Sequence, residues 1–70
     1  MSQPDYPQIV LSFEYRGWKI ELDRSEEDGQ IVYAVWANDA KSSVVAVPYA
    51  ASQKLAIQRA KRWVDYRLSQ

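Results

Sequence analysis

Apolar side chains recur at every second residue over the first two-thirds of this chain, then at every third or fourth residue to its end. A period of two belongs to a strand with one buried face, and a period of 3.6 to a helix with one buried stripe. The period changes once, near Ser52, so the pattern describes a sheet followed by a helix. In residues 9–15, Ile9, Leu11, Phe13 and Tyr15 fall on one side, with Val10, Ser12 and Glu14 on the other. Arg16-Gly17 then offers a two-residue turn, because Gly accepts positive φ without steric cost. Trp18, Ile20 and Leu22 alternate with Lys19, Glu21 and Asp23, which completes a hairpin.

Residues 24–29 are polar and closed by Gly29, and read as a loop. Residues 30–37 form a third strand, in which Ile31, Tyr33 and Val35 oppose Val32, Ala34 and Trp36. Apolar residues on both sides suit a central position. One of these two sets must point away from the helix. Either an N-terminal segment with Tyr6 and Ile9 folds over it, or the open face or an edge strand meets another chain. After a turn at residues 38–42, residues 43–47 form a fourth strand, and Pro48 ends it because proline donates nothing to a ladder.

Ser52 is placed to cap a helix whose hydroxyl acceptor serves an early N–H. Residues 53–68 contain no Gly or Pro. Ala56, Ile57, Ala60, Trp63, Val64 and Leu68 fall in a stripe about 140° wide, the face that packs on the sheet. Arg67 lies within that stripe in the final turn, where its stem covers apolar surface while the guanidinium reaches water. The expected core is Trp18, Ile20, Leu22, Ala56, Ala60, Trp63 and Val64. The fold class is α+β, an antiparallel sheet of three to four strands packed against one C-terminal amphipathic helix. Residues 1–8, with Pro4 and Pro7, read as a tail and residues 9–70 as one domain.

The chain has 70 residues with neither His nor Cys, which removes the commonest general base, the thiol nucleophile and most transition-metal ligands. The only two glycines, Gly17 and Gly29, are twelve residues apart, so no P-loop, GxGxxG or GxSxG motif is present. A Ser–Lys or carboxylate pair is arithmetically available, but no spacing singles one out. The expectation is a protein that is not an enzyme, with no catalytic residue, metal or cofactor. Asp23, Glu26, Glu27 and Asp28 are the densest acids, but their spacing is not that of an EF-hand loop, and they read as a solvated acidic loop. No apolar run approaches the roughly 18 residues of a membrane span. The start of the chain has no signal-peptide pattern, which together with the missing cysteine gives the expectation of a cytoplasmic protein.

Charge is zero overall but unevenly spread. Residues 1–51 carry a net −4 and residues 52–70 a net +4. Outside the core stripe, Leu55, Arg59, Arg62 and Tyr66 follow an i, i+4, i+7, i+11 row. This row is either ordinary solvent-facing helix or a partner-binding surface, since Arg and Tyr are typical of binding hot spots. The acidic segment Glu26-Glu27-Asp28 on a second copy is one candidate target. The leading functional expectation is a self-associating, non-enzymatic protein-interaction module, as a homodimer or with another protein partner. The alternative is a nucleic-acid-binding module that uses the basic helix, with Arg and Lys on phosphates and Tyr66 stacked on a base.

The stretch from Tyr15 to Leu68 resembles, in layout, antitoxin domains of the HicB type, which run strand, strand, strand, helix. The carriers of this likeness are Asp23-Arg24-Ser25-Glu26-Glu27-Asp28-Gly29-Gln30-Ile31-Val32-Tyr33 and the Ala-rich Ser52-Gln53-Lys54-Leu55-Ala56-Ile57-Gln58-Arg59-Ala60. The family's Gly-rich turn before the third strand is absent. The resemblance implies a toxin protein as partner and an operator DNA as ligand. The strand-rich start and terminal helix are also similar to part of the double-stranded RNA-binding fold, whose first helix has no counterpart here.

Overall fold

The computed structural model describes residues 8–70; residues 1–7 of the expected tail, with Tyr6, lie outside them. Four strands, β1 (Ile9–Tyr15), β2 (Trp18–Glu27), β3 (Gln30–Asn38) and β4 (Ser43–Ala50), precede one helix, α1 (Gln53–Leu68). The strands form one antiparallel sheet in the order β1-β2-β3-β4, each paired with its neighbour in sequence. The α+β class and the C-terminal helix are therefore as the periodicity requires.

Two tight turns set the register of the first three strands. Arg16 and Gly17 have φ of 52° and 88°, and Asp28 and Gly29 have φ of 52° and 77°. Positive φ at both central residues matches the right-handed twist of flanking strands, and Asp-Gly is a preferred sequence for it. The second turn corrects the expected loop at residues 24–29. Only Asp28-Gly29 turns; Arg24, Ser25, Glu26 and Glu27 pair with Tyr33, Val32, Ile31 and Gln30. This end of the β2–β3 hairpin is exposed, so polar side chains there report solvation and not the absence of a strand.

The edge strands depart from simple alternation. β1 is bulged at Val10: Leu11 stands opposite Leu22, yet Ile9 stands opposite Asp23. The extra residue breaks the period, so Ile9 is exposed and does not share the row of Leu11, Phe13 and Tyr15. Gln8, expected in the tail, pairs with β2: its N–H donates to Asp23 Oδ1 at 3.0 Å and its carbonyl accepts from Arg24 N at 2.9 Å. β4 continues through Pro48 to Ala50, where termination at residue 47 was expected. Its pairing with β3 shifts twice, between Tyr33 and Val35 and between Val35 and Trp36. A bulged edge strand has room for a residue without an N–H, which is why Pro48 does not end it.

The helix lies on β4, β3 and β2. Its cap is as expected, with Ser52 Oγ accepting from Leu55 N at 3.1 Å. Ala56, Ala60 and Val64 are fully buried against Trp18, Ile20 and Leu22 of β2, Val35 and Ala37 of β3, and Val47 and Ala50 of β4. Small helix residues let the two backbones approach closely, so the contact is tightest along this row. Trp63 is half-buried at the edge of the core, its ring 5.2 Å from that of Trp18 at 85°. Ile57 is also half-buried, and Leu68 is 47% exposed. A row spaced by four residues drifts by about 40° per step on an α-helix, so the stripe rotates off the sheet before Leu68.

Val35 faces the helix and Tyr33 packs beside it, so Val32, Ala34 and Trp36 form the set that points away. Complete burial at Leu22 and partial burial at Trp63 give these two positions different weight. Leu22→Ala is expected to lower unfolding free energy by roughly 2–5 kcal/mol. Trp63→Ala should fall short of the roughly 3–5 kcal/mol typical of a fully buried Trp. Urea denaturation of both variants measures the contrast.

Candidate functional site

The core contact fixes which way each flank of α1 points. One flank looks toward β1, where Lys61 and Asp65 meet Phe13, Tyr15 and Arg16. The other looks toward β4, where Arg59 Nη1 donates to the Tyr49 carbonyl oxygen at 3.4 Å. The row Leu55, Arg59, Arg62 and Tyr66 runs along this second flank and over the crest of the helix. Leu55 is half-buried, Arg59 and Arg62 are exposed, and Tyr66 is 65% exposed. Arg62 and the Tyr66 ring make no ion pair or side-chain hydrogen bond among the described residues.

Tyr49 borders this row through its backbone: its carbonyl, next to the last residue of β4, meets Arg59, and the residue is 52% exposed. Sequence reasoning missed it because the fourth strand was ended at Pro48. The strand runs on past the proline to Ala50, which pairs with Tyr33, and this brings the Tyr49 carbonyl to Arg59.

The β1 flank is a closed polar and aromatic seam. Tyr15 OH donates to Asp65 Oδ1 at 2.9 Å and Oδ2 at 3.2 Å, and Arg16 Nη1 donates to Asp65 Oδ1 at 2.8 Å. The Arg16 hydrogen bond, and then that of Tyr15, hold the Asp65 carboxyl below its ordinary 3.8. The bond to Asp65 raises the Tyr15 phenol above 10.0. Lys61 Nζ lies 5.9 Å from the centre of the Phe13 ring and 5.5 Å from that of Tyr15. The Arg67 guanidinium lies 5.8 Å from Trp18 and 5.0 Å from Trp63, within cation–π range. The Arg67 guanidinium, expected to reach out to water from an apolar-packed stem, instead lies over these two rings.

Of the five helix cations, Arg59, Lys61 and Arg67 are engaged by their own domain, while Lys54 and Arg62 project free of any ion pair among the described residues. The acids Glu26, Glu27 and Asp28 are exposed at the far end of the β2–β3 hairpin. Among the described residues no group of three or more acidic side chains is gathered for a metal ion, and no helix is long and apolar enough to cross a membrane. An open depression beside Gln53, Lys54, Ile57 and Gln58 marks the start of the helix. On the face away from the helix, Trp36 Nε1 is buried with no hydrogen-bond partner among the described residues. Compared with protein-family models, curated proteins and solved structures, the chain matches none.

The Asp65 seam makes stability pH-dependent in a definite direction. A carboxyl held below its ordinary pKa stabilises the fold above that pKa and loses its effect as pH falls through the folded value. A phenol held above 10.0 stabilises below that value and loses its effect as pH rises through the folded one. Asp65→Asn should therefore have a lower Tm than the parent at neutral pH. The difference should close as pH falls below the ordinary carboxylate range, in thermal melts followed by circular dichroism.

Proposed function

We propose that this chain is a non-enzymatic protein-interaction module that associates with itself and presents the outer face of α1 to a protein partner. The observation that carries this reading is the state of the helix surface after packing is complete. Tyr66 is 65% exposed beside Arg62, which has no ion pair among the described residues, with Arg59 and the half-buried Leu55 in the same row. Core packing requires none of these on the outside. Aromatic and guanidinium groups bury large area with little entropy loss and offer directional donors, which suits an acidic or aromatic protein surface. Exposed ion pairs contribute only about 0–1 kcal/mol each, so Leu55 and Tyr66 would supply much of the affinity. An antitoxin-like role is one case of this reading, with a toxin protein as the partner. The cysteine-free sequence supports a cytoplasmic setting.

Nucleic-acid binding is the second reading, favoured by the net +4 of residues 52–70. It is weakened because Lys61 and Arg67 sit over aromatic rings of their own domain. Salt separates the two. Binding to phosphates falls steeply with salt through counterion release, with a slope of about −0.9 per phosphate neutralised on duplex DNA.

Replacing Leu55, Arg59, Arg62 and Tyr66 together with Ala should leave a folded domain, because Ala is the best helix former. The variant should lose the partner that the parent chain retains in pull-downs from its host. A second variant, Arg59→Glu/Arg62→Glu, keeps the half-buried Leu55 and tests the charge alone. Folded variants that retain every partner of the parent would show the row to be ordinary solvent-facing helix.

A further inference from the structure

The two edges of the sheet are not equivalent. β4 carries Pro48 and two shifts of register, and Arg59 occupies the Tyr49 carbonyl. These features discourage another strand from adding there. β1 is bulged at Val10, but from Leu11 to Tyr15 it pairs with β2 in unbroken register and contains no proline. It is also the strand α1 covers least, and Leu11, Phe13 and Tyr15 are left half-buried on the helix side.

The two-residue turn fixes which groups of β1 are open. Tyr15 and Trp18 flank it and exchange both hydrogen bonds; the same follows for Phe13 with Ile20 and Leu11 with Leu22. Ser12 and Glu14 therefore direct their backbone N–H and C=O groups away from β2. We propose that two copies of this chain pair antiparallel through β1, about a two-fold axis at Phe13. This rests on the self-associating reading above and assigns the surface that performs it.

The register is self-complementary. An axis at Phe13 sets Ser12 of each copy opposite Glu14 of the other, so the outward hydrogen-bonding groups meet and no carboxylate faces a carboxylate. An axis at Glu14 would oppose two like charges directly. Phe13 then faces its own copy in a non-hydrogen-bonded pair, the closer of the two kinds, and Leu11 faces Tyr15. The half-buried row of β1, with Lys61 over the Phe13 and Tyr15 rings, becomes a continuous seam between two helices on one side of a joined sheet. A two-fold contact of this kind closes on itself and leaves only the two β4 edges, both already obstructed.

Sedimentation equilibrium of the full chain tests this, with far-ultraviolet circular dichroism as the check on folding. The parent chain is expected to reach a dimer. Ser12→Glu places a carboxylate opposite Glu14 and should raise the dimer Kd about tenfold. Ser12→Lys should lower it, and Ser12→Glu/Glu14→Lys should restore parent affinity. Ser12→Pro removes only an outward N–H and should give a folded monomer. A parent chain monomeric at millimolar concentration overturns the proposal and the self-associating reading together. A parent dimer with the same Kd in folded Ser12→Glu and Ser12→Pro overturns the β1 pairing alone, and places the contact between copies elsewhere.

Discussion

The burial of Ala56, Ala60 and Val64 against Ile20, Leu22 and Val35 is the contact on which the rest of the molecule depends. In a domain this small there is one core and little margin, so the position of one helix decides which surfaces remain. Side chains of small volume at two of the three helix positions allow close approach. The helix settles over β4, β3 and β2, and β1 is met by the Lys61 and Asp65 side chains of its flank.

That placement sorts the helix cations. Lys61 and Arg67 come to rest over aromatic rings, and Asp65, the single acid of α1, is taken by Tyr15 and Arg16. What sequence alone shows as a basic helix becomes a helix with one flank closed by its own sheet. The opposite flank keeps an aromatic and guanidinium surface. The same displacement of the helix leaves the β1 row half-covered, so the two surfaces proposed for association have one origin.

Strand existence was legible because alternation survives wherever one face is buried. The bounds of β1 and the helix follow from Gly17, Ser52 and the Gly- and Pro-free run after it. Strand ends failed where solvent, and not burial, surrounds the chain. Arg24 to Glu27 are paired yet polar on both sides, so no periodic signal exists there to be found. Pro48 misled for a different reason: a proline forbids a ladder hydrogen bond, but an edge strand with bulges does not require that bond. The candidate row was visible from helical spacing, whereas Tyr49 was not, since only the continued strand brings it to Arg59.

By itself the sequence determined the order of elements, the two glycine turns, the capped helix and the residues able to form a core. Each is a local property, set by backbone sterics, hydrogen-bond capping and side-chain period. Only the tertiary structure decided that Ile9 leaves its row, that Val32, Ala34 and Trp36 face away from the helix, and that Asp65 binds residues of the first turn. It also decided which edge of the sheet is obstructed. These outcomes depend on bulges and on contacts between residues far apart in the chain. A one-residue shift in pairing moves a side chain to the other face, and no local pattern records where that shift occurs.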